Sequence, residues 1–229
     1  MKIKFFLLVA FFTLVSFAPN LSKTSTIRTP STYSKTNKIE FLYHSLDANN
    51  FQLPKLESFS KALEGFYFLK EKGLIQKEFL TIIDFSLSSK AKRLWVIDLF
   101  QNKIIFNSLV AHGKNSGDDY ATSFSNQNKS NKSCLGFFAT AECYVGLHGL
   151  SLKLDGLEKG INDNARQRSI VIHGADYVCS NFIKDHNRLG RSQGCPALPV
   201  EMSAKIIEKI KDKSCLFIYH PSRNNSFSS

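Results

Sequence analysis

Residues 80–113, "LTIIDFSLSSKAKRLWVIDLFQNKIIFNSLVAHG", decide the fold. Three runs inside this stretch, 80–86, 93–99 and 103–113, are rich in β-branched and aromatic side chains, the residues that suit a pleated surface. The short "FQN" at 100–102 reads as a hairpin turn between the last two runs. More strand follows in "LGFFATAECYVG" (135–146), "RSIVIHG" (168–174) and "CLFIYHP" (215–221). Helical periodicity is confined to two places. In "ESFSKALEGFYFLKEKG" (57–73), Phe59, Leu63, Phe66 and Leu69 with Lys70 form a stripe, with Ser58 as N-cap and Gly73 as the stop. Met202, Ile206, Ile207 and Ile210 mark a second, short helix. No internal repeat is present, so the chain reads as a mostly-β domain with a few peripheral helices.

Outward from this body, residues 1–18, "MKIKFFLLVAFFTLVSFA", read as a secretory signal: Lys2 and Lys4, an apolar run from Phe5 to Phe17, and small Ser16 and Ala18 before the cut. The run is shorter than the roughly 20 apolar residues that span a bilayer. Pro19 suits a signal peptidase poorly, which leaves a retained anchor and membrane association as the alternative. Residues 19–37, rich in Ser, Thr, Lys and Pro, read as a flexible linker; 38–222 form the folded domain, and 223–229 a polar tail. The apolar content of 43% is ample for one core and excludes wholesale disorder. The net charge is +11, two less once Lys2 and Lys4 leave with the signal. An exported chain meets no nucleic acid, so the charge points to an anionic envelope polymer or membrane surface, or to a lysine-rich surface that serves solubility alone.

Five cysteines are an odd number for an oxidising compartment. With Cys195 kept as a thiol, Cys134, Cys143, Cys179 and Cys215 could pair in three ways, or all be small buried hydrophobes. The setting of Cys195, "GRSQGCPALP" (190–199), is the chemical focus. Gly190, Gly194 and Pro196 shape a tight loop, and the N–H groups of Gly194 and Cys195 are the candidates to face a developing oxyanion. Arg188 and Arg191 would favour the thiolate and could grip a substrate carboxylate through two parallel bonds. A thiol also needs a base. "IVIHG" offers His173 at a strand end, with Gly174 giving a sharp turn toward a cleft. "HG" occurs three times, at His112, His148 and His173, and His186 is nearer Cys195 along the chain. The long polar stretch 114–133 is of the kind that borders such a cleft. No metal is expected, because His173, Cys179, His186 and Cys195 lack the short paired spacings of zinc sites.

"IVIHG" followed by "GRSQGCPALP" resembles the catalytic signature of the YkuD-type L,D-transpeptidases, and more closely their murein L,D-transpeptidase catalytic-domain branch. "LTIIDFS", "RLWVIDL", "LVAHGKNSG", "YATSFSN", "GLHGLSLKLDGLEKGINDNARQRSIVIHGADYV" and "NRLGRSQGCPALP" are also similar to that branch, from about Phe59 to Pro221. The resemblance implies a YkuD-like β-sandwich or barrel-like domain, Cys195 as nucleophile and His173 as its base. Ser192 is expected to orient the imidazole, and Gly174 and Gln193 to line the substrate site. In the wider family a histidine stands two residues before the cysteine and an arginine two after; here those positions are Gln193 and Ala197. Arg188 or Arg191 would replace the missing arginine.

The resemblance implies acyl transfer on peptidoglycan stem peptides in the periplasm or cell envelope, through a thioester and without metal or organic cofactor. Two other functions stay open at this point. Water could resolve the same thioester, giving a carboxypeptidase or endopeptidase, or the domain could bind cell wall without catalysis.

Overall fold

Strand β1, Phe79–Asp84, buries residues on both faces, and this explains why it reads as a continuous apolar run. The computed structural model describes residues 38–223, so the segments read as signal (1–18) and linker (19–37), and all but the first residue of the 223–229 tail, lie outside the described residues. β2 (Leu94–Asp98) and β3 (Lys103–Ser108) follow as the expected hairpin. The Asp98 carboxylate closes its turn by accepting the N–H groups of Phe100 and Gln101, both at 3.1 Å. Next come β4 (Gly136–Gly146), β5 (Gly149–Gly156), β6 (Val171–Gly174), β7 (Ala197–Leu198) and β8 (Cys215–Tyr219).

All eight strands form one sheet in the order β3-β2-β1-β8-β4-β5-β6-β7. The chain beyond β3 returns to β7, where Ala111 N–H donates to the Ala197 carbonyl at 2.9 Å. The sheet is therefore curled almost into a barrel, mostly β as expected. β1–β8 and β6–β7 are parallel pairs and the others antiparallel.

Beyond a helical stretch at 38–44, the described helices that flank the sheet are α1 (Leu56–Glu71), α2 (Ser180–His186) and α3 (Val200–Ile210). The strand alternation sorts the core into two layers. Leu216 and Ile218 of β8 pack with Val96, Phe138, Leu154, Ile172 and the Ile206, Ile207 and Ile210 stripe of α3. Cys215, Phe217 and Tyr219 face the opposite way, onto Phe59, Leu63, Phe66 and Leu69 of α1.

Local details depart from the sequence reading. Ser58 is not the N-cap of α1: Lys55 holds that position, and the Ser58 hydroxyl, inside the first turn, donates back to the Lys55 carbonyl at 3.0 Å. Gly73 does end the helix, with φ +69 and paired bonds from Gly73 N–H to Lys70 O and Leu74 N–H to Leu69 O. β5 went unread, although Leu150, Leu152 and Leu154 alternate with polar residues as a half-buried strand should. It carries the middle of the site half of the sheet, between β4 and β6. α2 occupies part of what reads as loop, and ends at His186, whose ring lies 4.2 Å from that of Phe182.

All five cysteines are free thiols. Cys134 and Cys215 are buried core members, and the half-buried Cys179 caps α2, its sulfur accepting the Phe182 N–H at 3.5 Å. Among the described residues, no helix is long and apolar enough to cross a membrane.

Candidate active site

A cleft of about 800 Å³ opens where the β4–β5 hairpin, the entry to β6 and the loop before β7 meet. His173, Cys195, Ser192, Gln193 and Arg191 all line it, and so do Lys114, Asn128, Lys129 and Asn131 from the polar 114–133 stretch. The sheet register brings the two candidate residues, His173 and Cys195, to one cleft. His173 of β6 pairs with Ala197 of β7, two residues beyond Cys195.

The Cys195 loop is held from three sides. Gly194 adopts φ +125, and a Cβ there would stand 2.8 Å from the Lys132 carbonyl, so both backbone and space demand glycine. Its carbonyl accepts the Ser133 hydroxyl at 3.0 Å. Ser192 N–H donates to His112 O at 3.0 Å, and Lys114 N–H donates to Ser192 O at 2.8 Å. The thiol itself donates to Ser169 O and accepts the Val171 N–H, both at 3.5 Å. Burial pushes the Cys195 thiol above its ordinary value, while the Val171 N–H and the Arg168 charge pull the other way. At rest the group is a parked, protonated thiol that needs a base.

His173 is arranged to be one. Only 3% exposed, it has Nδ1 2.8 Å from the Gly174 carbonyl, which can only accept. Nδ1 therefore carries the proton, and Nε2 keeps its lone pair. Burial lowers its pKa from the ordinary histidine value, with nearby His148 acting in the same direction. The ring is thus neutral and proton-accepting at neutral pH.

Several expected contacts are made differently. Ser192 does not orient the imidazole: its hydroxyl donates to the Cys195 carbonyl at 2.6 Å and accepts the Gly194 N–H at 3.0 Å, stapling its own loop. That bond also occupies the Gly194 N–H, leaving the Cys195 N–H as the remaining candidate oxyanion donor. Gly174 does not line the cleft. It is a buried residue of β6, where a Cβ would meet the Ser203 hydroxyl of α3 at 2.7 Å. Arg188 lies off the cleft, bonded to Leu189 O at 2.8 Å and 3.7 Å from Asp118. Arg191 reaches the wall but places Nη1 on Asp118 at 2.6 Å and Gly117 O at 3.0 Å, which ties the Cys195 loop to the 113–118 turn.

His112 is removed from the candidate bases by its partners. The fully buried Arg93 donates Nη2 to His112 Nδ1 at 2.8 Å, and His112 Nε2 donates to Gly117 O at 3.3 Å. Burial, then the Arg93 charge, pushes His112 down to about 4. The unfolded chain thus binds this proton near pH 6.5 and the folded one only near 4. Stability should be complete above the higher value and fall as the pH drops toward the lower, by on the order of 3 kcal/mol. Urea unfolding across this range should show a flatter pH dependence for His112→Gln; equal slopes would remove His112 as the cause.

Arg168 was missed, although it stands just before "SIVIHG". Its guanidinium lines the cleft and donates to Ser125 O at 2.7 Å, Ser130 Oγ at 3.1 Å and Lys132 O at 2.6 Å. It therefore anchors the polar wall beside Gly194 and sets a positive charge near the Cys195 sulfur. Arg168→Gln should raise the pH midpoint for Cys195 alkylation by iodoacetamide and slow acylation about tenfold. An unmoved midpoint would restrict Arg168 to holding the loop. Tyr144 and Tyr177, unassigned in the sequence, also line the cleft, as does His148, the second of the three "HG" histidines.

Comparison with known proteins adds a family. The family described as L,D-transpeptidase catalytic domain, YkuD_2, matches residues 52–219. Among solved structures, the chain is similar to an L,D-transpeptidase from Mycobacterium smegmatis, with 11% identity and a TM-score of 0.39, covering 62% of this chain and 59% of that one. It is also similar to the helical cell shape determining protein Pgp2 from Campylobacter jejuni, with 16% identity and a TM-score of 0.39, covering 67% of this chain and 54% of that one. The chain spans less than two thirds of the length of either structure. No curated protein matches it.

Proposed function

Because the chain belongs to the L,D-transpeptidase catalytic-domain family, we propose that it is an exported cysteine acyltransferase of peptidoglycan stem peptides, acting in the cell envelope. One observation carries the assignment of residues: Cys195 and His173 line a common cleft, and the Nδ1 bond to Gly174 O leaves Nε2 as the proton acceptor.

The reaction follows from that arrangement. A stem peptide enters the cleft, where Arg191, Lys114 and Lys129 supply positive charge for its carboxylates. Cys195 leaves its bond to Ser169 O as His173 Nε2 takes the thiol proton. The sulfur then attacks the carbonyl at the L-centre of the diamino acid, and the Cys195 N–H faces the oxyanion that forms. Collapse of this intermediate breaks the peptide bond to the terminal D-alanine, whose amine leaves with the proton from His173. The resulting thioester is attacked by an amine of a second stem, His173 takes the amine proton, and the thiol is regenerated with a new cross-link and no ATP.

Incubating the protein with a stem tetrapeptide and reading the products by mass tests this. A cross-linked dimer with release of D-alanine is expected. Tripeptide alone would make water the acceptor and the protein a carboxypeptidase, and intact substrate would overturn the proposal.

A further inference from the structure

We propose that His148, at the tip of the β4–β5 hairpin, is a positioning residue that stacks on His173 and, through its own charge, sets how readily His173 takes a proton. The proposal rests on the reading of His173 as the base.

Its geometry is fixed by the sequence "GLHG". Gly146 pairs with Gly149, which has φ +73, so only Leu147 and His148 make the reversal. Leu147 projects fully into solvent, whereas the His148 ring lies on that of His173, with centroids 4.4 Å apart and planes at 24°. The second "HG" of the chain thus meets the third across the β4–β5 hairpin and β6. With Nδ1 held by Gly174 O and one face held by His148, the imidazole has little freedom to turn Nε2 away from the cleft.

The surrounding charges make the second imidazole consequential. Arg168 approaches from the entry to β6, Arg191 and Cys195 from the catalytic loop, and Lys114 and Lys129 from the polar wall. Tyr177, after β6, is pushed up to about 12 by burial and stays neutral. β5 presents Ser151 opposite His173, and α3 presents Ser203 behind Gly174. Among the described residues lining the cleft none is Asp or Glu, so the imidazolium that forms on His173 has no carboxylate there to balance it. Arginine and lysine keep their charge across the physiological range, but an imidazole changes charge within it. A proton on His148 places a like charge against the ring that must itself become positive, and this disfavours proton uptake by His173.

The test uses histidine-labelled protein and NMR of the imidazole resonances, with the His173→Ala spectrum for assignment. His148→Phe keeps an aromatic cover and removes the charge, so the His173 titration midpoint should rise. The acid limb of carbapenem acylation should move to higher pH with it. At the alkaline plateau His148→Ala should acylate about two- to tenfold more slowly, the weight of one ring contact, and His148→Phe should recover most of that loss. An unchanged His173 midpoint in His148→Phe, or a phenylalanine no better than alanine, overturns the proposal. If instead His173→Ala acylates at the wild-type rate, the base assignment fails, while the midpoints still measure the coupling without substrate.

Discussion

A carbapenem should add covalently to the protein, one acyl group per chain, and should leave Cys195→Ala unmodified. Intact-protein mass spectrometry reads this directly. The expectation is selective because the other thiols are poorly placed. Burial pushes Cys134 up to about 11, raises Cys215 further still, and raises Cys143 as well. The Cys179 sulfur is occupied in capping α2. Cys195 is also raised by burial, but it alone of the five lines the cleft that holds an imidazole with an available nitrogen. Nucleophilicity requires the thiolate, which the pairing can generate at the moment of attack. An adduct of equal yield on Cys195→Ala would sink the assignment, and the site of that adduct would identify the true nucleophile.

His173→Ala should slow acylation by about 10² to 10⁴ while the protein stays folded, the usual cost of removing a general base. Circular dichroism and the unfolding midpoint separate loss of chemistry from loss of fold. A pH signature accompanies the rate. Because burial and then His148 lower the His173 pKa, its basic form persists to lower pH than in an ordinary histidine. The acid limb of acylation by the wild type should therefore lie below pH 6.5, the reference value. If His148→Ala cost more than His173→Ala, the roles of the two stacked rings would be reversed.

The parts legible in the sequence were those governed by short-range rules. β1, β2 and β3 announce themselves through β-branched runs, and the Ile206, Ile207 and Ile210 stripe through helical spacing. Cys195 and His173 stand out because glycine-framed motifs surround them. The rest depends on through-space partners. Arg168 has meaning only once Ser125 O and Lys132 O are folded against it, and His148 only once the hairpin lies over β6. Ser192 and Gly194 were misread for a different reason. A serine in a tight loop can bond its own backbone, and here that local bond displaces both the imidazole contact and one oxyanion donor. Arg191 illustrates a third case, an arginine whose charge is paired with Asp118 rather than directed solely at a ligand.

The position of β8 has a consequence for the order of events during synthesis. Sheet order places it between the β1–β3 block and the β4–β7 block, which also meet where the chain leaving β3 bridges to the loop before β7, at Ala111–Ala197 and Gly113–Ser192. Both blocks contribute to the cleft, the first through the chain that leaves β3 and the second through His148, His173 and Cys195. β8 is the last of the strands to be made, and its parallel pairing with β1 is the most distant in the sheet. Such pairings form late, because a long loop must close before any contact offsets its entropy. A nascent chain that lacks β8 should therefore hold Cys195 beside an incomplete cleft, with the β1–β3 block docking after the central strand is inserted.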